Sequence, residues 1–243
     1  MGAARPAERL PAILLLPGTL CDARLFEGQI RPLGAIADRL IIGDITRGRT
    51  ITEMAGQVLQ AAPPRVAVVG FSLGGIVALE MARLARDRLS HLALVCTTPR
   101  PDTPDRRLAR MRQVEAAQTG GFRRIVTEEL KPRYFALGAA RLEQMKRTVV
   151  RMALGLGVDV FRRQSLALAS RRDARPALPG LAGLPTLALA GADDALCPVA
   201  AHEEIVRAVP GARLSVLPGC GHMAPLERPD EVSRELALFL TGA

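Results

Sequence analysis

The chain has 243 residues, 49% of them hydrophobic and 23% charged, which excludes intrinsic disorder for the whole and suits one domain, with or without an insertion. Its formal charge of +9 and pI of about 10.7 invite a nucleic-acid partner. Six Phe, one Tyr and no Trp supply no stacking platform, so nucleic acid is set aside.

In chain order, the first predicted element is Ala12-Ile13-Leu14-Leu15-Leu16, a continuous apolar run closed by Pro17-Gly18 and read as a buried strand. It follows Arg5 and Arg9 and faintly resembles a secretory leader, but it is too short and has no small-x-small cleavage site. No run approaches the roughly 20 apolar residues that span a bilayer, so no membrane is expected. A helix is predicted over 27–38, a strand at 40–42, a helix over 52–61, a strand at 66–69, a helix over 74–87 and a strand at 92–95. This βαβαβαβ order implies a parallel sheet with helices on both faces, because parallel neighbours need crossover connections.

From Thr97 to Pro176 there is only helical periodicity, broken at Thr119-Gly120-Gly121 and at Gly155 and Gly157. A strand returns at 186–190, a helix over 199–208, a strand at 213–217 and a final helix over 229–240. The expectation is an α/β fold: a mostly parallel sheet flanked by helices, with a core of 1–96 and 177–243 and an all-helical insertion at 97–176. Four cysteines (Cys21, Cys96, Cys197, Cys220) with no CxxC fit a reducing cytoplasm rather than a disulfide scaffold. Three histidines (His91, His202, His222) without metal-ligand spacing support no metal site.

The third strand ends in Gly70-Phe71-Ser72-Leu73-Gly74-Gly75, followed by an Ala-rich helix. A serine in a tight strand-to-helix turn needs small residues two positions to either side, and the turn lifts its Oγ above the carboxyl edge of the sheet. The Leu73 amide then lies at a helix N-terminus, where it faces a developing oxyanion. Two further loops follow strands: Gly191-Ala192-Asp193-Asp194-Ala195-Leu196-Cys197-Pro198, and Gly219-Cys220-Gly221-His222-Met223-Ala224-Pro225-Leu226.

The order Ser, Asp, His on loops past successive strands resembles the α/β-hydrolase superfamily, over about residues 10–240 with the insertion in the place of the cap. The resemblance implies a G-x-x-D-x-hydrophobic-x-P register, which Asp194 matches and Asp193 misses by one. It also implies that His222, within a G-x-G-H-x-x-x-x-E-x-P pattern, is the general base. The second oxyanion amide comes from the loop after the first strand, here Pro17-Gly18-Thr19-Leu20, and is assigned to Thr19 with Leu20 as fallback. Pro17 departs from the His-Gly often found there. The implied mechanism is attack by Ser72 with His222 as base and Asp194 as its orienter, through an acyl-enzyme and with no cofactor. A serine at position 72 excludes the epoxide hydrolase and dehalogenase branches, which attack with aspartate.

Cys21, Cys197 and Cys220 are expected to be small packing residues rather than reactive thiols. His91 and His202 are expected to be solvated or capping, and Tyr134 to touch substrate or pack within the cap. The insertion holds 18 basic against 8 acidic residues, or +10, while the remainder sums to −1. That excess is either a solvated arginine-rich surface or a device steering an anionic substrate or acyl carrier to the mouth. The expected activity is hydrolysis of small carboxylic esters or related acyl compounds. Alternatives are a thioesterase or esterase on anionic or carrier-bound acyl chains, a C–C bond hydrolase, or a ligand receptor on the same fold. Oligomeric state is left open.

Overall fold

The structure, a computed structural model, describes residues 9–130, 134–136, 138, 139 and 141–242. Arg5, Lys131 and Arg133, used in the sequence reading, lie outside the described residues. The strands β1 (Ile13–Leu16), β2 (Leu40–Ile42), β3 (Val66–Phe71), β4 (Leu89–Val95), β5 (Thr186–Gly191) and β6 (Arg213–Leu217) form one sheet in the order β2-β1-β3-β4-β5-β6. Every neighbouring pair is parallel. The helices are α1 (Glu27–Ile36), α2 (Ile51–Ala61), α3 (Leu73–Ala85), α4 (Pro104–Ala116), the three-residue α5 (Phe122–Arg124), α6 (Leu142–Ala169), α7 (Val199–Ala208), the four-residue α8 (Ala224–Glu227) and α9 (Pro229–Thr241).

The unbroken apolar runs follow from coverage of both faces, since alternate residues of one strand enter opposite cores. Leu14, Leu16, Val68 and Leu94 pack with Met54 of α2, Val77 of α3 and Ile205 of α7. Ile13, Leu15, Val69 and Leu189 pack with Leu33 of α1 and Leu236 of α9. Local signals start the helices: Thr50 Oγ1 accepts the Glu53 amide at α2, and Thr103 Oγ1 accepts the Arg106 amide at α4, with Pro104 in its first turn.

Two expectations are corrected. β4 begins at Leu89 rather than Leu92, so His91 lies within the strand, and its ring is not solvated but half-buried, meeting Phe239 edge-on at 5.6 Å. Gly155 does not break the helix: it sits inside α6, and the kink falls at Gly157 alone, with φ 83° and ψ 174°. That conformation is nearly closed to L side chains.

The insertion is helical. The chain kinks at Gly120 (φ 97°) after α4, and α6 returns across it in two arms. The arm before Gly157 gives Val149 and Met152 to the α1/α9 side of the core. The second arm gives Val160 and Phe161 to a cluster with Leu20, Val114 and Ile125, and Ala167 and Leu168 to the α2/α3 side. Among the described residues no helix is long and apolar enough to cross a membrane.

Candidate active site

β3 runs directly into Ser72, which sits at φ 53° and ψ −114°, and α3 starts at the next residue. This non-glycine left-handed conformation costs on the order of 1–3 kcal/mol and persists only where its surroundings enforce it. They do so here. The Ser72 amide donates to Val95 O at 2.9 Å, and Thr97 Oγ1 donates to Ser72 O at 2.7 Å. The flanking glycines are required by close approach: a Cβ on Gly70 would stand 2.5 Å from Gly74 O, and one on Gly74 would overlap the Leu16 carbonyl.

Ser72 Oγ lies 3.0 Å from His222 Nε2, and His222 Nδ1 lies 2.8 Å from Asp194 Oδ2. The other Asp194 oxygen accepts the amides of Leu196 and Cys197 at 2.8 and 2.9 Å. Burial pushes the Asp194 carboxyl up, but the His222 hydrogen bond and charge, with the Cys197 and Leu196 amides, outweigh it and hold the group below its ordinary value. Asp193 is exposed, and among the described residues it makes one bond, its amide donating to Cys220 O at 2.9 Å.

The His222 loop is held from three sides. Its backbone amide donates to Tyr134 O at 2.9 Å, and its ring lies between those of Phe71 and Tyr134, with centroids 5.2 and 5.9 Å away. Glu227, the glutamate of the histidine pattern, accepts the amides of Gly221, Met223 and Ala136 at 3.0, 3.1 and 3.0 Å.

Of the two amides considered after β1, Leu20 is already engaged: it donates to Gln164 Oε1 at 2.9 Å. Thr19 lines the cavity, and no acceptor among the described residues takes its amide. The Leu73 amide, first in α3, has no intrahelical acceptor. Thr19 and Leu73 both line the cavity with Ser72, and neither amide has an acceptor among the described residues. Gln164 was not singled out from the sequence. It is fully buried on the second arm of α6, and its Nε2 donates to Ile45 O at 3.3 Å, so one side chain ties the insertion to two core loops.

A cavity of about 170 Å³ opens over these groups, lined by Ser72, His222, Thr19, Tyr134, Phe161 and others. Cys21 and Cys197 also line it, and burial pushes their thiols up to about 12, as it does for Cys220. They are protonated packing residues. The ligand-capable atoms of Asp194, Cys197 and His222 lie within 4.8 Å of one another. The carboxylate and both ring nitrogens are spent on the hydrogen bonds above, so they are committed to one another before any metal. His202 is not solvated: it is fully buried on α7, Nε2 accepts the Thr97 amide at 3.1 Å, and Nδ1 faces Pro198 O at 3.3 Å. It braces the residue that braces Ser72.

The model of the alpha/beta hydrolase family matches residues 13–235. The chain is 33% identical over 212 residues to a pimeloyl-[acyl-carrier protein] methyl ester esterase of Aromatoleum aromaticum, across 78% of this chain and 79% of that one. It is 30% identical over 253 residues to the protein of the same description in Xanthomonas oryzae pv. oryzae, across 96% of both. Among solved structures, a thermophilic esterase from Thermogutta terrifontis, with malate bound, superposes with a TM-score of 0.85 at 27% identity, over 97% of this chain and 91% of that one.

Proposed function

The chain belongs to the alpha/beta hydrolase family, and on that premise we propose that it is a serine esterase working through an acyl-enzyme. The observation that carries this reading is the continuous chain from Ser72 Oγ through His222 to Asp194, at 3.0 and 2.8 Å, opening onto a cavity. His222 takes the Ser72 proton as Oγ attacks the ester carbonyl and then gives it to the leaving alcohol. Asp194 holds the imidazole tautomer and stabilises the imidazolium. The Thr19 and Leu73 amides hold the oxyanion, each such donor being worth about 10²–10³ in rate. Water activated by His222 then releases the acid. None of these steps calls on a cofactor.

A narrower reading, an ester on a carrier-bound acyl chain, is supported by the relatives' descriptions and by the insertion's surface. Arg107, Arg112, Arg123, Arg147 and Arg151 are exposed there, with no acidic partner among the described residues. An acidic carrier suits such a face. Four free, buried cysteines fit a reducing cytoplasm.

The test is a panel of acyl esters and thioesters of graded length, free and carrier-bound, with Ser72→Ala as control. Ester turnover lost in Ser72→Ala supports the esterase. A steep fall in turnover with salt for the carrier-bound ester alone supports the narrower reading. Turnover that survives Ser72→Ala contradicts both.

A further inference from the structure

The cavity above Ser72 has a second chemical feature that ester hydrolysis does not require. Three of its lining residues are arginines: Arg106 and Arg110 on α4, and Arg171 two residues past α6. Two of them meet one carboxylate whose side chain is wholly buried. Arg110 Nε donates to Asp102 Oδ2 at 2.6 Å, and Arg171 Nη1 lies 3.0 Å from Asp102 Oδ1.

Arg171 is fixed in place. Its Nε donates to Arg100 O at 3.0 Å and its Nη1 to Leu168 O at 3.2 Å, and only 4% of its side chain is exposed. Arg106 is free of Asp102 and donates one Nη2 bond, to Leu196 O at 3.2 Å, on the loop that carries Asp194. Glu129, a carboxylate that itself lines the cavity, faces Arg124 at 3.4 Å and accepts from Gln113 Nε2 at 3.0 Å.

The wall is therefore overcharged. Three guanidiniums line it: Arg110 and Arg171 share the buried Asp102, while the more exposed Arg106 has no carboxylate partner among the described residues. Burial lowers the Arg171 value, Asp102 opposes the shift, and the charges of Arg110 and Arg106 both add to it, so Arg171 feels both neighbouring cations. The missing charge is negative. Arginine offers paired, planar donors matched to a carboxylate.

We propose that the cavity takes a half-ester of a dicarboxylic acid, with its free carboxylate held by Arg106 and Arg110 while its ester carbonyl lies at Ser72. Arg171 and Asp102 form the fixed base that orients Arg110. This rests on the esterase reading above and narrows its substrate. It is distinct from carrier docking, which involves the exposed arginines that do not line the cavity.

The test compares the monomethyl and dimethyl esters of one dicarboxylic acid, across a series of chain lengths, on the full chain and on Arg106→Gln, Arg106→Lys and Arg110→Gln. Wild type should favour the half-ester by tenfold or more in kcat/KM at the best length. Arg106→Gln should reduce that ratio at least tenfold, chiefly through KM, and Arg106→Lys should restore part of it. Arg110→Gln also frees one side of Asp102, so Arg106 is the decisive position, and labelling of Ser72 by a fluorophosphonate certifies that each variant is folded. A wild-type ratio near one, or a ratio that Arg106→Gln leaves unchanged, overturns the carboxylate site while leaving the esterase intact. No turnover of either ester, together with an unlabelled Ser72, overturns both.

Discussion

Asp193 and Asp194 are chain neighbours that the backbone sends in opposite directions, one to solvent and the other against His222. They form an internal control. Asp194→Asn should lower kcat by about 10⁴, because the amide no longer enforces the tautomer, whereas Asp193→Asn should stay near wild type; steady-state kinetics on one ester checks both. The carboxylate was legible only through the register that the family resemblance implies, between a glycine and a proline. Gln164 was not: it lies 144 positions from Leu20, and a glutamine within a helix carries no sign of what it meets. Its side chain holds the Leu20 amide, next to the Thr19 amide proposed for the oxyanion, so Gln164→Leu should lower kcat by roughly 10–100-fold with little change in KM, less than the loss of a donor itself. The substitution also strands the Leu20 amide and Ile45 carbonyl, each at about 1–3 kcal/mol, which denaturant unfolding will register separately.

Among the elements, strands buried on both faces are the most legible, because β1 and β3 are uniformly apolar and β5 is so after Thr186. β4 starts three residues before the strand expected at 92–95, because Ser90 and His91 are polar and half-buried and break the apolar run that continues from Leu89. Gly155 and Gly157 look alike in sequence, and only the latter's φ distinguishes them. The role of α7 was hidden for a similar reason: His202 contacts Thr97 from 105 positions away. Burial holds the His202 value down, with the Pro198 carbonyl and Asp194 charge opposing and His222 adding. The sign follows. The unfolded chain binds the proton first, so this residue's stability contribution is whole above about pH 6.5 and is lost as pH falls below it. Asp194 acts in a lower window, below the ordinary carboxylate value near 3.9. The melting temperature should therefore drop between pH 7 and 5.5, and His202→Gln should flatten that drop; an identical slope in the variant would remove His202 as its source.

At the scale of the molecule, the +9 charge that first suggested nucleic acid divides into a near-neutral sheet domain and a strongly basic insertion. The structure divides the insertion's arginines again, into exposed ones that do not line the cavity and three, the exposed Arg106 among them, that line it with Ser72. No count along the chain separates these two sets, because the separation depends on which side of α4 and α6 faces inward. Charge alone fixes no activity; Ser72, His222 and Asp194 in contact at one cavity carry the central claim. Intact-mass analysis after treatment with a fluorophosphonate tests it most directly. The account predicts one covalent adduct, on Ser72, absent in Ser72→Ala and formed far more slowly in His222→Ala; a folded protein that takes no adduct, or takes it on another residue, would contradict it.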